Sequence, residues 1–272
     1  MLTRPIPRTR EPLPVLGLGT WQTFDVGATS AEREPLRAVL TRFLDAGGRL
    51  VDSSPMYGRA EAVVGEELRQ LGRAQEAFLA TKVWTSGKEA GRAQIETSER
   101  LMGALDLVQV HNLLDWEVQL ATLRELKAQG RIRYVGVTHY QLSAFAQLER
   151  LLRTEHLDFI QLPYSVGVRE AEARLLPAAQ DTGTAVLVMR PFEGGELLRR
   201  MRGTPVPEWA RAELQCESWA QLFLKFLLGH PAVNCPLPAT SNPAHLEDNL
   251  AAGRGPLPDA AQRARILGAL GL

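Results

Sequence analysis

Eight short apolar runs recur through this chain at the spacing of a strand followed by a helix, and that rhythm limits the fold more than any other feature. The runs are Val15–Gly19, Leu50–Asp52, Phe78–Lys82, Leu107–His111, Tyr134–Thr138, Phe159–Gln161, Ala185–Met189 and Asn234–Leu237. Each gathers β-branched or aromatic residues in a short window, as parallel strands buried on both faces do. Amphipathic segments separate them. Leu36, Val39, Leu40, Phe43 and Leu44 keep helical spacing before Gly47-Gly48, and Leu120, Leu123 and Leu126 do so before Gly130. Leu142, Phe145, Leu148 and Leu152 form a further stripe, and Trp219, Leu222, Phe223, Phe226 and Leu227 form the last, before Gly229.

Strand ends recur every 23–33 residues, except for a final gap of 48. Seven such steps in 272 residues predict one (β/α)8 TIM barrel spanning residues 1–272 as a single domain. A doubly wound open sheet has units of similar length, but no Pro/Gly linker or composition break divides the chain. The oversized gap predicts a long loop insertion after strand 7, around Arg190–Gln215, with Gly194, Gly195, Gly203, Pro205 and Pro207. Loops of that length commonly act as lids or binding segments. Residues before Val15 are expected to cover the barrel floor.

Charge excludes several partners. Thirty-one basic and 31 acidic residues cancel without forming a run, so neither nucleic acid nor an anionic membrane has a surface to bind. No apolar stretch reaches the ~18–20 residues that cross a bilayer, and the opening MLTRPIPRTREPLP lacks the apolar core of a secretory signal. Cys216 and Cys235 are the only cysteines, too few for a disulfide framework and without zinc spacing. The expectation is a soluble cytoplasmic protein that holds no metal.

Barrels place chemistry at the C-terminal ends of their strands. Those positions here carry Thr20 and Trp21, Asp52, Lys82, His111 and Asn112, Thr138 and His139, Gln161, Met189 and Arg190, then Pro238. Lys82 lies within an apolar run, and a buried ammonium needs a counter-charge, which Asp52 offers. A purely structural ion pair closing the barrel mouth is the alternative. Tyr57 follows in the Pro/Gly-punctuated loop Asp52–Gly58; it either covers core or leans over the lysine. Beside a cation its pKa is expected to fall from ~10 toward neutrality, giving a general acid for a developing alkoxide. His111 is placed to orient the same oxygen. Together these residues read as a site that reduces a carbonyl.

Reduction needs a hydride, which no side chain supplies, so a nicotinamide cofactor is implied. A Rossmann fingerprint is absent, because Gln22 stands where a third glycine belongs after Gly17-x-Gly19. No P-loop surrounds Gly87-Lys88. A barrel-style phosphate site remains: Ser241-Asn242-Pro243 reads as a helix start with Asn242 at the N-cap and Pro243 at N1, whose free N–H groups suit a phosphate. An ordinary capped helix has the same signature.

Seven segments, taken in order, resemble the aldo-keto reductase family along nearly the whole chain. They are GLGTW at 17–21, Asp-Ser-Ser-Pro-Met-Tyr-Gly at 52–58, ATKVW at 80–84, DLVQVHN at 106–112, GRIRYVGVTHY at 130–140, QLPYS at 161–165 and PATSNPAHLEDN at 238–249. The resemblance implies a (β/α)8 barrel that reduces aldehydes or ketones with NADPH or NADH. It also implies a catalytic set of Asp52, Tyr57, Lys82 and His111: Tyr57 gives the proton, Lys82 lowers its pKa, Asp52 orients Lys82 and His111 positions the carbonyl. Implied cofactor contacts begin with Gly19, Thr20, Trp21 and Asp52. Thr138-His139 replaces the family's Ser-Asn pair, keeping the hydroxyl and losing the amide, while Gln161 matches the carboxamide-binding glutamine. Met189 stands where an aromatic often stacks on the nicotinamide. Arg190, Pro191, Phe192, Gly194 and Gly195 fall near the pyrophosphate, and Pro238, Thr240, Ser241, Asn242, His245, Asp248 and Asn249 near the adenosine.

NADP-selective relatives carry Lys and Arg at the positions matched by Ser241 and His245. Residues 232–253 contain neither cation, so NADP is the expected cofactor with NAD also possible, and with a reduced preference. Trp21, Met56, Trp84, Asn112 and Trp116 are expected to line the substrate pocket, whose apolar character suits a small or aromatic carbonyl. A monomer or weak oligomer is expected. Two other readings stay open: a nicotinamide-sensing regulatory subunit, and a barrel lyase using Lys82 as a Schiff-base nucleophile.

Overall fold

The eight runs pair side by side in chain order. In the computed structural model, which describes residues 1–272, the strands are β1 (Leu18–Gly19), β2 (Leu50–Asp52), β3 (Phe78–Val83), β4 (Leu107–His111), β5 (Tyr134–Thr138), β6 (Phe159–Pro163), β7 (Ala185–Met189) and β8 (Val233–Pro236). All are parallel to their neighbours. The sheet closes on itself, because Gly17 and Gly19 donate N–H bonds to the Pro236 and Pro238 carbonyls at 3.0 and 3.1 Å, and Gly19 bridges Ala239. This is the (β/α)8 barrel, so the open doubly wound sheet is excluded.

Two strands are irregular for a local reason. β1 is shorter than the run that predicted it, since Val15 turns away to bond the Leu2 carbonyl. In β8 the register shifts between Val233 and Cys235. There the Asn234 side chain accepts the Val186 N–H at 2.8 Å, standing in for a missing strand carbonyl.

Helices follow the strands: α1 (Ser30–Asp45), α2 (Ala60–Leu71), α3 (Lys88–Met102), α4 (Trp116–Ala128), α5 (Phe145–Thr154) and α6 (Leu175–Thr182). The predicted stripe of α1 is buried throughout, and Glu32 reaches back to the Thr29 N–H at 3.2 Å to secure its start. Leu148 and Leu152 of α5 are buried, but Leu142 precedes the helix and is exposed.

The insertion after β7 differs from the expected loop. It folds into α7 (Glu196–Arg200) and α8 (Glu208–Leu214) before α9 (Trp219–Leu228). Beyond β8 the chain adds α10 (Pro243–Ala251) and α11 (Ala260–Ala269). The Trp219 indole N–H donates to the Thr204 carbonyl at 2.9 Å. Arg265 of α11 lies 4.1 Å over the Trp209 ring and bonds Glu213 at 2.9 Å. The second half of the insertion is therefore fastened to the outer wall. Every residue of α9 is buried, as expected of a helix that is apolar nearly all round.

A hairpin of Thr3–Pro5 and Pro12–Pro14 lies at the other end. Ile6 and Leu13 join Leu50, Phe78, Leu107, Tyr134, Phe159 and Ala185, the first residues of successive strands, in one buried cluster. The floor is thus plugged, as the opening segment predicted, and the interior becomes polar only toward the other end. No helix is long and apolar enough to cross a membrane.

Candidate active site

Alternate residues of a strand face opposite sides, so the register that turns Ala80 into the barrel turns Lys82 inward as well. The same pairing sets Asp52 beside Ala80, Lys82 beside Gln109, and His111 beside Thr138, which in turn faces Gln161. Above the apolar plug the interior therefore carries a polar layer. Gly136 makes room for it: a Cβ there would sit 2.6 Å from the Phe159 carbonyl oxygen and 3.2 Å from Gln109 Cγ.

Lys82 is 1% exposed and Asp52 is 4% exposed, so neither charge has water as a partner. Lys82 Nζ donates to Asp52 Oδ2 at 2.7 Å and to the Ser53 carbonyl at 2.6 Å. Gln109 Nε2 reaches the second Asp52 oxygen at 3.4 Å. Tyr57 leans over this pair, with Lys82 Nζ 4.9 Å from its ring centre, and meets His111 edge-on at 6.2 Å. The structure thus brings Asp52, Tyr57, Lys82 and His111 together at the C-terminal mouth.

Burial of the lysine works against its charge, but Asp52 and Tyr57 outweigh it and hold the ammonium above lysine's ordinary value. Tyr57 corrects the sequence expectation. Burial lifts its pKa, Lys82 pulls it back, and Asp52 adds to the rise, leaving the phenol above its ordinary value and not near neutrality. The sequence shows the cation and carries no measure of burial. Burial foremost, then the Lys82 charge, lowers His111 to about 3, so the imidazole is neutral. Its Nδ1 lies 3.2 Å from Ser54 Oγ.

The loop carrying Tyr57 is held from several sides. The Tyr57 N–H donates to the Ser54 carbonyl at 2.9 Å. Asp25 accepts the Arg59 N–H at 2.9 Å, and its carboxylate lies so near Gly58 (φ +59°) that a Cβ there would collide with it. Ser54, Gln109 and Asp25 escaped the sequence reading. Gln109 was visible in principle, as the inward polar residue two before His111.

Thr138 Oγ1 donates to Gln161 Oε1 at 3.2 Å, which leaves Gln161 Nε2 buried without a partner. Asn112 Oδ1 is likewise buried and unpartnered, on the adjacent end of β4. An orphaned donor and an orphaned acceptor fit a primary carboxamide, so these strand ends suit a nicotinamide. His139 is half-buried and stacks on Tyr140 at 5.7 Å. Met189 is half-buried and Arg190 exposed with φ +55°. Pro191 and Phe192 are buried, while Gly194 and Gly195 form the left-handed turn into α7. Thr20 faces inward, its hydroxyl bonded to the Asp52 carbonyl at 2.9 Å.

At the start of α10, Asn242 caps as predicted, its Oδ1 accepting the Ala244 N–H at 2.9 Å. Pro243 has no N–H, and Leu246 bonds back to the Asn242 carbonyl. The His245 N–H is left as the free donor of this turn, fewer than the sequence expectation supposed. Ser241 and His245 are exposed, and Pro238, Thr240 and Asn249 are buried. Both Asp248 oxygens are engaged, by Ser218 Oγ at 2.7 Å and Gln221 Nε2 at 2.6 Å.

Trp21, Met56 and Trp84 are exposed at 48, 44 and 38%, forming an apolar rim, and Trp84 lies 6.4 Å from His111. Trp116 is half-buried under Arg150. Asn112, Leu113 and Asp115 all adopt positive φ, a cluster of strain of the kind that gathers at functional loops.

Residues 15–266 match the model of the Aldo/keto reductase family. The chain is 31% identical to methylglyoxal reductase YeaE of Escherichia coli strain K12 over 249 residues, covering 88% of this chain and 85% of that one. It is 28% identical to an NADH-specific methylglyoxal reductase of the same strain over 243 residues, 76% and 72% of the two chains. It superposes with a TM-score of 0.81 on the crystal structure of an aldo/keto reductase from Klebsiella pneumoniae in complex with NADP and acetate, at 26% identity, covering 98% of this chain and 96% of that one.

Proposed function

The chain belongs to the aldo/keto reductase family, and from that premise we propose that it reduces a small aldehyde or ketone to the alcohol, with Tyr57 as proton donor and NADPH as the preferred reductant. Membership makes it an NAD(P)H-dependent oxidoreductase. The observation that carries the finer reading is the buried Lys82–Asp52 pair beneath Tyr57, with neutral His111 beside it. The bound reduced nicotinamide supplies the hydride.

An ordinary phenol titrates near ~10 and burial lifts this one further, so Tyr57 is protonated at neutral pH and enters the reaction as an acid. It gives its proton to the carbonyl oxygen as that oxygen gains charge, and the Lys82 ammonium stabilises the phenolate left behind. Asp52 keeps Lys82 charged and aimed. His111, being neutral, donates one N–H to the carbonyl oxygen and orients it. The unpartnered amide groups of Gln161 and Asn112 hold the carboxamide. The rim of Trp21, Met56 and Trp84 favours a small or aromatic carbonyl, and the names of two relatives put methylglyoxal first among candidates.

A Schiff-base lyase would require Lys82 as a free amine. Two bonds to acceptors and a raised pKa oppose it. The test is NADPH consumption against a panel of aldehydes, with Tyr57→Phe as control. We expect turnover that the substitution reduces by about 10²–10⁴ while NADPH affinity stays within a few-fold. A Tyr57→Phe enzyme retaining more than about a tenth of the activity removes Tyr57 from the role.

A further inference from the structure

Ser54 occupies a position from which it touches both groups that meet the carbonyl oxygen. It is completely buried. Its main-chain carbonyl accepts the Tyr57 N–H at 2.9 Å, its Oγ accepts the Met56 N–H at 3.2 Å, and the same Oγ lies 3.2 Å from His111 Nδ1. A hydroxyl has one hydrogen to give. If His111 carried its proton on Nδ1, Ser54 Oγ would receive two donors and its own hydrogen would be stranded in a buried setting with no other acceptor, at the cost of an unmade bond. With the hydroxyl donating to Nδ1, all three groups are satisfied. Resting on the carbonyl-reductase reading, we propose that Ser54 is a positioning residue that fixes His111 as the Nε2–H tautomer, so that the ring presents a donor, and not a lone pair, to the carbonyl oxygen.

The other groups around the ring leave this assignment to Ser54. Tyr57 and Trp84 meet His111 through their rings. Lys82 is engaged by Asp52 and Ser53, and His139 Nδ1 accepts the Gln141 N–H. A cationic ring would donate from both nitrogens and make the tautomer irrelevant. Burial and the Lys82 charge keep it neutral throughout the working range.

The experiment reads the ring directly. Protein labelled with ¹⁵N-histidine, full length and examined with and without NADPH, is analysed by long-range ¹H–¹⁵N correlation, with His111→Gln identifying the signal. The expected result is a single Nε2–H pattern in the native protein. Ser54→Ala should yield a mixed pattern and lower kcat/KM about 2- to 10-fold, the range of one neutral hydrogen bond, with NADPH affinity unchanged. Ser54→Thr, which keeps the hydroxyl, should restore both. An Nδ1–H pattern in the native protein overturns the proposal. So does a Ser54→Ala protein whose pattern is unaltered. Because the spectrum needs no turnover, a chain inert toward every carbonyl would sink the reductase reading while leaving the tautomer assignment measurable.

Discussion

Lys82 and Asp52 are both removed from water, and each is the other's counter-charge. Taking away one partner of a buried pair is therefore worse than weakening it. Lys82→Met leaves Asp52 uncompensated and should cost about 3–5 kcal/mol of stability. It also removes the one cation that draws the Tyr57 pKa down against burial, so that pKa rises and the alkaline limb of the kcat/KM profile moves to higher pH or vanishes. Asp52→Asn keeps the ammonium and should reduce the rate less. Urea unfolding and pH–rate profiles of the two variants decide this, and equal profiles matching the native enzyme would refute the coupling. His111 gives a second, independent pH signature. Its pKa is about 3 in the fold and ~6.5 when exposed, so the folded state binds fewer protons across that interval. The stability it contributes is complete above the ordinary histidine range and is lost as pH falls through it. Between pH 7 and pH 4 the native protein should lose about 3 kcal/mol more than His111→Gln, read from urea midpoints at the two pH values.

At the scale of elements, the start of α10 is where we expect the two cofactors to be told apart. A 2′-phosphate is held best by guanidinium or by several N–H groups. The first turn offers the His245 N–H, since Asn242 and Pro243 remove the other two, and residues 232–253 contain no Lys or Arg. NADPH should accordingly bind better than NADH by less than a thousand-fold. His245→Ala keeps that N–H but removes the imidazole as a further hydrogen-bond partner for the phosphate, and should narrow the preference while leaving NADH affinity alone. Fluorescence titration with each cofactor measures both, and a large preference surviving in the variant would point to Arg254, just beyond this stretch. The cap itself was legible because Asn before Pro has a strong local meaning; the competition of that cap for donors was not, since it depends on which hydrogen bonds form. The strands were legible for a similar reason. Runs buried on both faces announce themselves by composition, and six of the eight (β2, β3, β4, β5, β7 and β8) begin and end within one residue of the sequence reading. α7 and α8 were missed because five and seven residues between glycines and prolines give no periodicity to read. The docking of α8 on α11 is a tertiary fact. Within the site, Asp52, Lys82 and His111 stood out as charged or titratable strand ends, whereas Ser54 looked like any loop serine until its distance to His111 gave it a partner.

For the whole molecule, the barrel separates stability from chemistry along its axis. The apolar plug of Ile6 and Leu13 closes the floor against Leu50, Phe78, Leu107, Tyr134 and Phe159, and the polar layer of Asp52, Lys82, Gln109 and Gln161 lies toward the mouth. Asn234 joins the ends of the plug to the wall, bonding the Pro5 carbonyl at 3.2 Å and the Val186 N–H at 2.8 Å. Ile6 is fully buried, so Ile6→Ala removes apolar contact and leaves a cavity that the surrounding strands cannot collapse to fill. A loss of about 2–5 kcal/mol is expected, seen as a lower urea midpoint. The mouth should not register it: kcat/KM and NADPH affinity should stay within about two-fold, a change below about 0.5 kcal/mol. Cofactor added at a hundred times its Kd should then stabilise native and variant proteins by the same ~2.7 kcal/mol, because that increment depends on the affinity of the folded state alone. If the Ile6→Ala protein gains markedly less from NADPH than the native protein does, the floor sets the geometry of the strand tops after all, and the two ends of the barrel act as one unit.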